Sequence, residues 1–150
     1  MPGALSMDLI DWSNHYLDDT ERQQSYEALG VSMFAIFGAK NDKVSSQVRN
    51  LQSLSNSAVR FSDVELFIKN QMGRDNDMAK QWGRLDPHPL DQLRQIGDDT
   101  NPNGPNCKVP QNLRVEMAAH SVPVRLHIVR GWIRAVVGGY MFAKATQDLG

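Results

Sequence analysis

Four histidines, one cysteine and a scatter of carboxylates are the residues of this chain suited to metal binding or catalysis, and their spacing favours neither. His15, His88, His120 and His127 form no H-x-x-x-H pair, and no Glu-x-x-His occurs, so the helical zinc and di-iron patterns fail. His120 and His127 share a face only on a helix running unbroken through Pro123, and a structural or phosphate-facing role is expected for both. Cys107 has only Lys108 as an adjacent positive charge, whereas a thiolate nucleophile needs a base and an electropositive setting. The run Gly30-Val31-Ser32-Met33-Phe34 is not a nucleophile elbow, because its fifth position is Phe. No Walker loop is present, and four glutamates and dispersed aspartates supply no spaced acid–base pair. The expectation is a non-enzyme with no catalytic residues, no metal and no cofactor. A single cysteine also excludes an intrachain disulfide and fits a reducing cytoplasm.

The basic residues carry more information. His127, Arg130 and Arg134, at i, i+3 and i+7, line one side of the stretch 121–150. Leu126, Val129, Ile133, Val136, Val137 and Tyr140 form the apolar strip beside them. Up to Cys107 the chain holds 10 Lys and Arg against 15 Asp and Glu; from Lys108 onward it holds 6 against 2. Positive charge is therefore gathered at one end of a chain whose net charge is −1, a pattern that fits phosphates or an acidic partner. The near-neutral balance argues against a non-specific nucleic-acid coat. Arg49 follows the cap region Ser45-Ser46-Gln47, and Lys69 and Arg74 bracket the end of the next helix. The planar Arg fork suits phosphate oxygens, although arginines beside an apolar stripe also cover it with their methylenes. Trp12, Trp82 and Trp132 are candidates for base stacking, with burial the competing expectation for the two inside helical segments.

The elements that must position these residues read as helices throughout. Residues 1–18, acidic and aromatic, form a docking arm or short helix. Asp19 or Thr20 caps a helix to about Ala39 with Tyr26, Leu29, Gly30, Met33 and Phe37 inward, and the turn 39–43 ends it. Ser45 or Ser46 starts a helix through about Ala58, with Val48, Leu51, Ser55 and Ala58 inward. Ser62-Asp63-Val64-Glu65 matches the capping box S-x-x-E ahead of Phe67, Ile68 and Met72, with Gly73 as the stop. Met78, Trp82 and Leu85 make a further stripe, and Pro89 opens a short continuation with Leu90 and Leu93. Residues 97–110, rich in Pro, Gly and Asn, predict a long loop. A helix with Leu113 and Met117 follows Pro110, and Pro123 kinks it or starts the last one, in which Gly138 and Gly139 permit close packing. The fold class is all-α: one domain over 1–150, a bundle of five to seven helices, with no membrane span and no signal peptide expected.

Three stretches resemble a known family. Lys43-Val44-Ser45-Ser46-Gln47-Val48-Arg49-Asn50, after a helix with Tyr26 and Phe34, resembles the Ser-Gln-x-Arg helix start of the small helical subunit of type III CRISPR effector complexes. Phe67-Ile68-Lys69-Asn70-Gln71-Met72-Gly73-Arg74 with Trp82, and the helix from Pro123 to Phe142, are similar to further parts of it. The resemblance implies a cytoplasmic, all-α, non-catalytic subunit of an RNA-guided ribonucleoprotein, present in several copies. Such a subunit packs against other effector subunits and against copies of itself, touching crRNA and target RNA at phosphates without reading bases. Arg49, Lys69 and Arg74 are its implied RNA contacts, and the charge argument adds His127, Arg130 and Arg134. The slightly acidic balance, the 97–110 loop and the acidic N-terminal segment depart from that family's pattern. The alternative is a helical interaction or scaffold module that meets an acidic partner and no nucleic acid.

Overall fold

The computed structural model describes residues 5–38, 44–74 and 76–149, with side chains through 147. Its elements are α1 (Met7–Asp18), α2 (Thr20–Phe37), α3 (Ser46–Ser57), α4 (Phe61–Met72), α5 (Asp77–Gly83), α6 (Pro89–Asp99), α7 (Arg114–Ala119) and α8 (Ser121–Leu149). A 3-10 turn, Gln111–Leu113, leads into α7. The all-α expectation holds, and the described residues contain no strand. Among the described residues eight helices exceed the expected five to seven, because the N-terminal segment is itself helical and the stretch from Met78 to Leu93 divides at Pro89 into two helices.

Local chemistry explains most boundaries. Asp19 accepts from the Arg22 N–H at 3.0 Å, Ser45 from Gln47 at 3.2 Å and Asn76 from Ala79 at 2.9 Å. Each satisfies a backbone donor that the first helical turn leaves open. Pro89 sits at the start of α6, where its missing N–H costs nothing, while His88 Nδ1 accepts from Leu90 N. The box at Ser62 and Glu65 is not the one used. Helix α4 begins at Phe61, and the Asp63 carboxylate reaches back to the N–H groups of Val59 and Arg60 at 2.8 and 2.9 Å. Those two bonds hold the Asp63 carboxyl below its usual range. The expected turn over 39–43 lies outside the described residues.

Helix α8 is the axis of the core. Val124, Ile128, Val129, Trp132, Ile133, Val136 and Tyr140 are buried along it, and Pro123 sits in its first turn without breaking it. Its most extensive partner is α2. There Gly30 and Gly139 let two backbones meet: a Cβ on Gly30 would lie 2.0 Å from the Val136 carbonyl oxygen, and one on Gly139 2.2 Å from that of Glu27. Gly138, paired with Gly139 in the packing expectation, instead faces open space. Helix α1 also packs on α8, burying Leu9, Tyr16 and Leu17, the last against Gly131.

The predicted loop over 97–110 begins late, because Gly97 to Asp99 finish α6. Burial outweighs the local preference of Gly and Asp for turns here. Asp99 is fully enclosed, accepting from the Tyr16 hydroxyl at 2.7 Å and Gln95 Nε2 at 2.8 Å. The rest of the loop is tied down: Lys108 N donates to the Asp99 carbonyl, Val109 is buried, and Arg114 Nε donates to the Val109 carbonyl.

Candidate phosphate-contact surfaces

The three basic residues predicted to share one side of α8 do so, in three different environments. Arg130 is half-buried. Its Nη2 lies 3.4 Å from the Ala58 carbonyl oxygen at the C-terminal end of α3, and its Nε is buried without a hydrogen-bond partner among the described residues. A cation at a helix C-terminus is favourable there, so much of this side chain serves the fold. His127 is also half-buried, with Nε2 2.7 Å from Asn14 Oδ1. Burial first, then the charges of Arg134 and Arg130, push its pKa below the ordinary value. It is therefore mainly neutral at pH 7 and adds a hydrogen-bonding group to the strip, not a charge. Of the three, Arg134 alone is exposed. It borders an open polar groove of about 510 Å³ with Asn14, Asp18 and Gln23 on its sides and Gly131 beneath.

Arg49, Lys69 and Arg74 are exposed on α3, on α4 and just past the end of α4. Both helices pack on α8, but among the described residues no hydrogen bond or ion pair joins these three to the strip. The structure brings together His127, Arg130 and Arg134 and leaves the other three as separate surface charges. Ion pairing is sparse: among the described residues the pairs are Arg22–Asp99 at 3.9 Å and the exposed Arg94–Asp91 at 4.0 Å. Arg49, Lys69, Arg74 and Arg134 are thus exposed with no ion pair among the described residues, Asp18 sharing the groove beside Arg134.

Two of the three stacking candidates are removed. Trp82 and Trp132 are completely buried, their indole N–H groups donating to Gln47 Oε1 and Gln92 Oε1, each at 2.8 Å. Their apolar bodies and single polar handles made burial with one partner the better outcome. Trp12 is half-buried, tilted against Tyr16 with ring centroids 5.4 Å apart.

A second group of arginines, passed over in the sequence, converges in space. Arg60, Arg94 and Arg125 line an open cleft of about 340 Å³ between the starts of α4 and α8 and the last turns of α6. Arg125 is held from below, Nε donating to Thr100 Oγ1 at 3.0 Å and Nη2 to the Gly97 carbonyl at 3.2 Å. These arginines are 34 and 31 positions apart and on different elements, so no periodicity could have joined them.

A buried polar cluster ties α1, α2 and α6 together. The Arg22 guanidinium lies 3.6 Å over the Tyr16 ring and donates to the Tyr16 carbonyl. Burial raises both tyrosine hydroxyls, Tyr26 to about 12. Asp99, fully enclosed, offers no surface to a ligand. Among the described residues no group of three or more His, Cys, Asp or Glu converges as a metal site, and no helix is long and apolar enough to cross a membrane. No family model, curated protein or solved structure matches this chain.

Proposed function

We propose that this chain is a non-catalytic helical subunit of an RNA-guided ribonucleoprotein of the type III CRISPR kind, touching the RNA backbone at phosphates without reading bases. The observation carrying this reading is the set of exposed cations, Arg49, Lys69, Arg74 and Arg134, that have no carboxylate partner among the described residues. Phosphate contacts of this sort give affinity without sequence information. The enclosure of Trp82 and Trp132 supports the absence of base readout, since stacking platforms must be open. The similarity of the Ser45–Arg49 and Phe67–Arg74 stretches to that family's small subunit supplies the assembly, in which this chain would sit in the cytoplasm beside other subunits and copies of itself.

Filter binding of single-stranded RNA over a salt series tests it. The Arg49→Ala/Arg134→Ala protein should bind more weakly, with a log–log salt slope shallower by about 0.7 for each phosphate no longer bound. Unchanged affinity and slope would remove these residues from any RNA path.

A specific observation favours a second reading, an interaction module. Val31, Met141 and Phe142 are 46%, 42% and 69% exposed. Val31 and Phe142 border an open groove of about 560 Å³ beside Gly138 and Gly139, where α2 and α8 cross. Light scattering decides: an assembly that falls apart in Phe142→Ser while the chain binds no RNA would favour this reading.

A further inference from the structure

We propose that the cavity lined by Arg60, Arg94 and Arg125 is a binding site for a small phosphate monoester, of about the size of a nucleoside 5′-monophosphate. It is separate from the exposed arginines assigned to the RNA backbone, and the inference does not depend on that assignment. Three features of the cavity point to such a ligand.

The first is the arrangement of the arginines. Arg125 is immobilised by Thr100, itself fully buried, and by the Gly97 carbonyl, and its Nη1 has no partner among the described residues. A guanidinium fixed through Nε and Nη2 keeps a free donor in a set direction at little further entropic cost. Arg60 and Arg94 are exposed on the walls, able to close on an anion from either side. The first turns of α4 and α8 also line the cavity; Asp63 already accepts from the Val59 and Arg60 N–H groups at the start of α4, which leaves the start of α8 as the helix dipole that favours an anion there.

The second is the charge balance. Glu65 and Asp98 share the lining, and neither is ion-paired to these arginines among the described residues. Arg94 also lies 4.0 Å from the exposed Asp91, so carboxylates balance the three guanidinium groups, and the site suits one phosphoryl group held by directed hydrogen bonds better than a polyanion drawn in by net charge. The carboxylates remain as acceptors for hydroxyl or amino groups on the rest of the ligand.

The third is size and floor. About 340 Å³ falls within the range of small-molecule sites, and Phe61 and Leu93, both buried, give an apolar base with Val122 beside them. The Ser62 and Ser121 residues add polar groups at the two helix starts.

Titration calorimetry on the full chain, with adenosine 5′-monophosphate, inorganic phosphate, adenosine and a 5′-phosphorylated octaribonucleotide as probes, tests the assignment. The monophosphate should bind with a Kd on the order of 0.1–1 mM, phosphate more weakly and adenosine without measurable heat. Arg60→Ala/Arg94→Ala, both exposed and outside the core, should leave the thermal melt unchanged and weaken the monophosphate by roughly tenfold or more, the size expected for the loss of charge-assisted bonds. Arg134→Ala should leave this binding untouched. Three results would overturn the proposal: no heat from the monophosphate or phosphate at 5–10 times the expected Kd (as an order of magnitude), undiminished binding in the double variant, or an octaribonucleotide that binds more tightly than the monophosphate and loses that advantage in the double variant.

Discussion

Arg125 and Arg134 lie on the same helix and meet opposite fates. Arg125 is clamped to Thr100 and the Gly97 carbonyl and helps line a cavity. Arg134 stands exposed at the edge of an open groove. Between them Arg130 turns toward the end of α3, giving part of its charge to the Ala58 carbonyl. An arginine fixed by buried partners can discriminate the shape of a ligand. A mobile one contributes charge, at a distance that salt screens. The two proposed anion surfaces on one helix therefore differ in kind: a pocket at its start with one arginine fixed by buried partners, and an exposed strip farther along.

The largest expected effect breaks both surfaces together. Gly30→Ala places a methyl against the Val136 carbonyl and should cost about 3 kcal/mol or more in urea unfolding, because backbone cannot yield as a side chain does. If stability is unchanged, α8 is not seated by α2 as described. Next is the cavity side. Asp99→Ala leaves the Tyr16 hydroxyl without its acceptor and should cost about 2–3 kcal/mol, and by loosening the end of α6 it should impair the Arg125 pocket before the Arg134 groove. Chemical-shift perturbation, compared at the two sites, shows which responds.

A smaller difference separates neighbours on the strip. Arg130→Ala should lose about 1 kcal/mol, from the Ala58 interaction and the apolar surface its methylenes cover. Arg134→Ala should stay within about 0.5 kcal/mol of the parent, as exposed charges do. Equal losses would erase the distinction between them.

The smallest effect is a dependence on pH. His127 has a folded pKa below its unfolded value, so between the two the unfolded chain binds more protons. Its contribution therefore penalises the fold as pH falls below about 6.5 and is absent above it. In His127→Gln this contribution disappears, and unfolding free energy should decline less from pH 7 to pH 5 than in the parent. A steeper decline in the variant would contradict the assigned direction.

Much of the helical framework is legible in short stretches. Asp19, Ser45 and Pro89 announce helix starts because a side chain or a missing N–H acts within one turn of itself. Where two local signals compete, short-range reading fails: Ser62 and Glu65 match a capping box, yet the Asp63 carboxylate closes the turn two residues earlier. It fails again at Gly97, where apparent breakers remain helical because Asp99 is drawn into the core by the hydroxyl of Tyr16, 83 positions away. The site follows the same division. Residues on one helix face, His127, Arg130 and Arg134, could be grouped from spacing alone. Arg60, Arg94 and Arg125 could not.

What the sequence determined by itself is the all-helical class and the gathering of positive charge toward the C-terminal end. The first rests on periodicity and capping, which act over a few residues, and the second on composition alone; that α8 is the axis of the core came from the structure. The tertiary structure alone decided which arginine is spent on a helix end, which is free and which are gathered into a pocket. Those outcomes depend on packing between helices tens of residues apart, where burial outweighs the preferences of any local stretch.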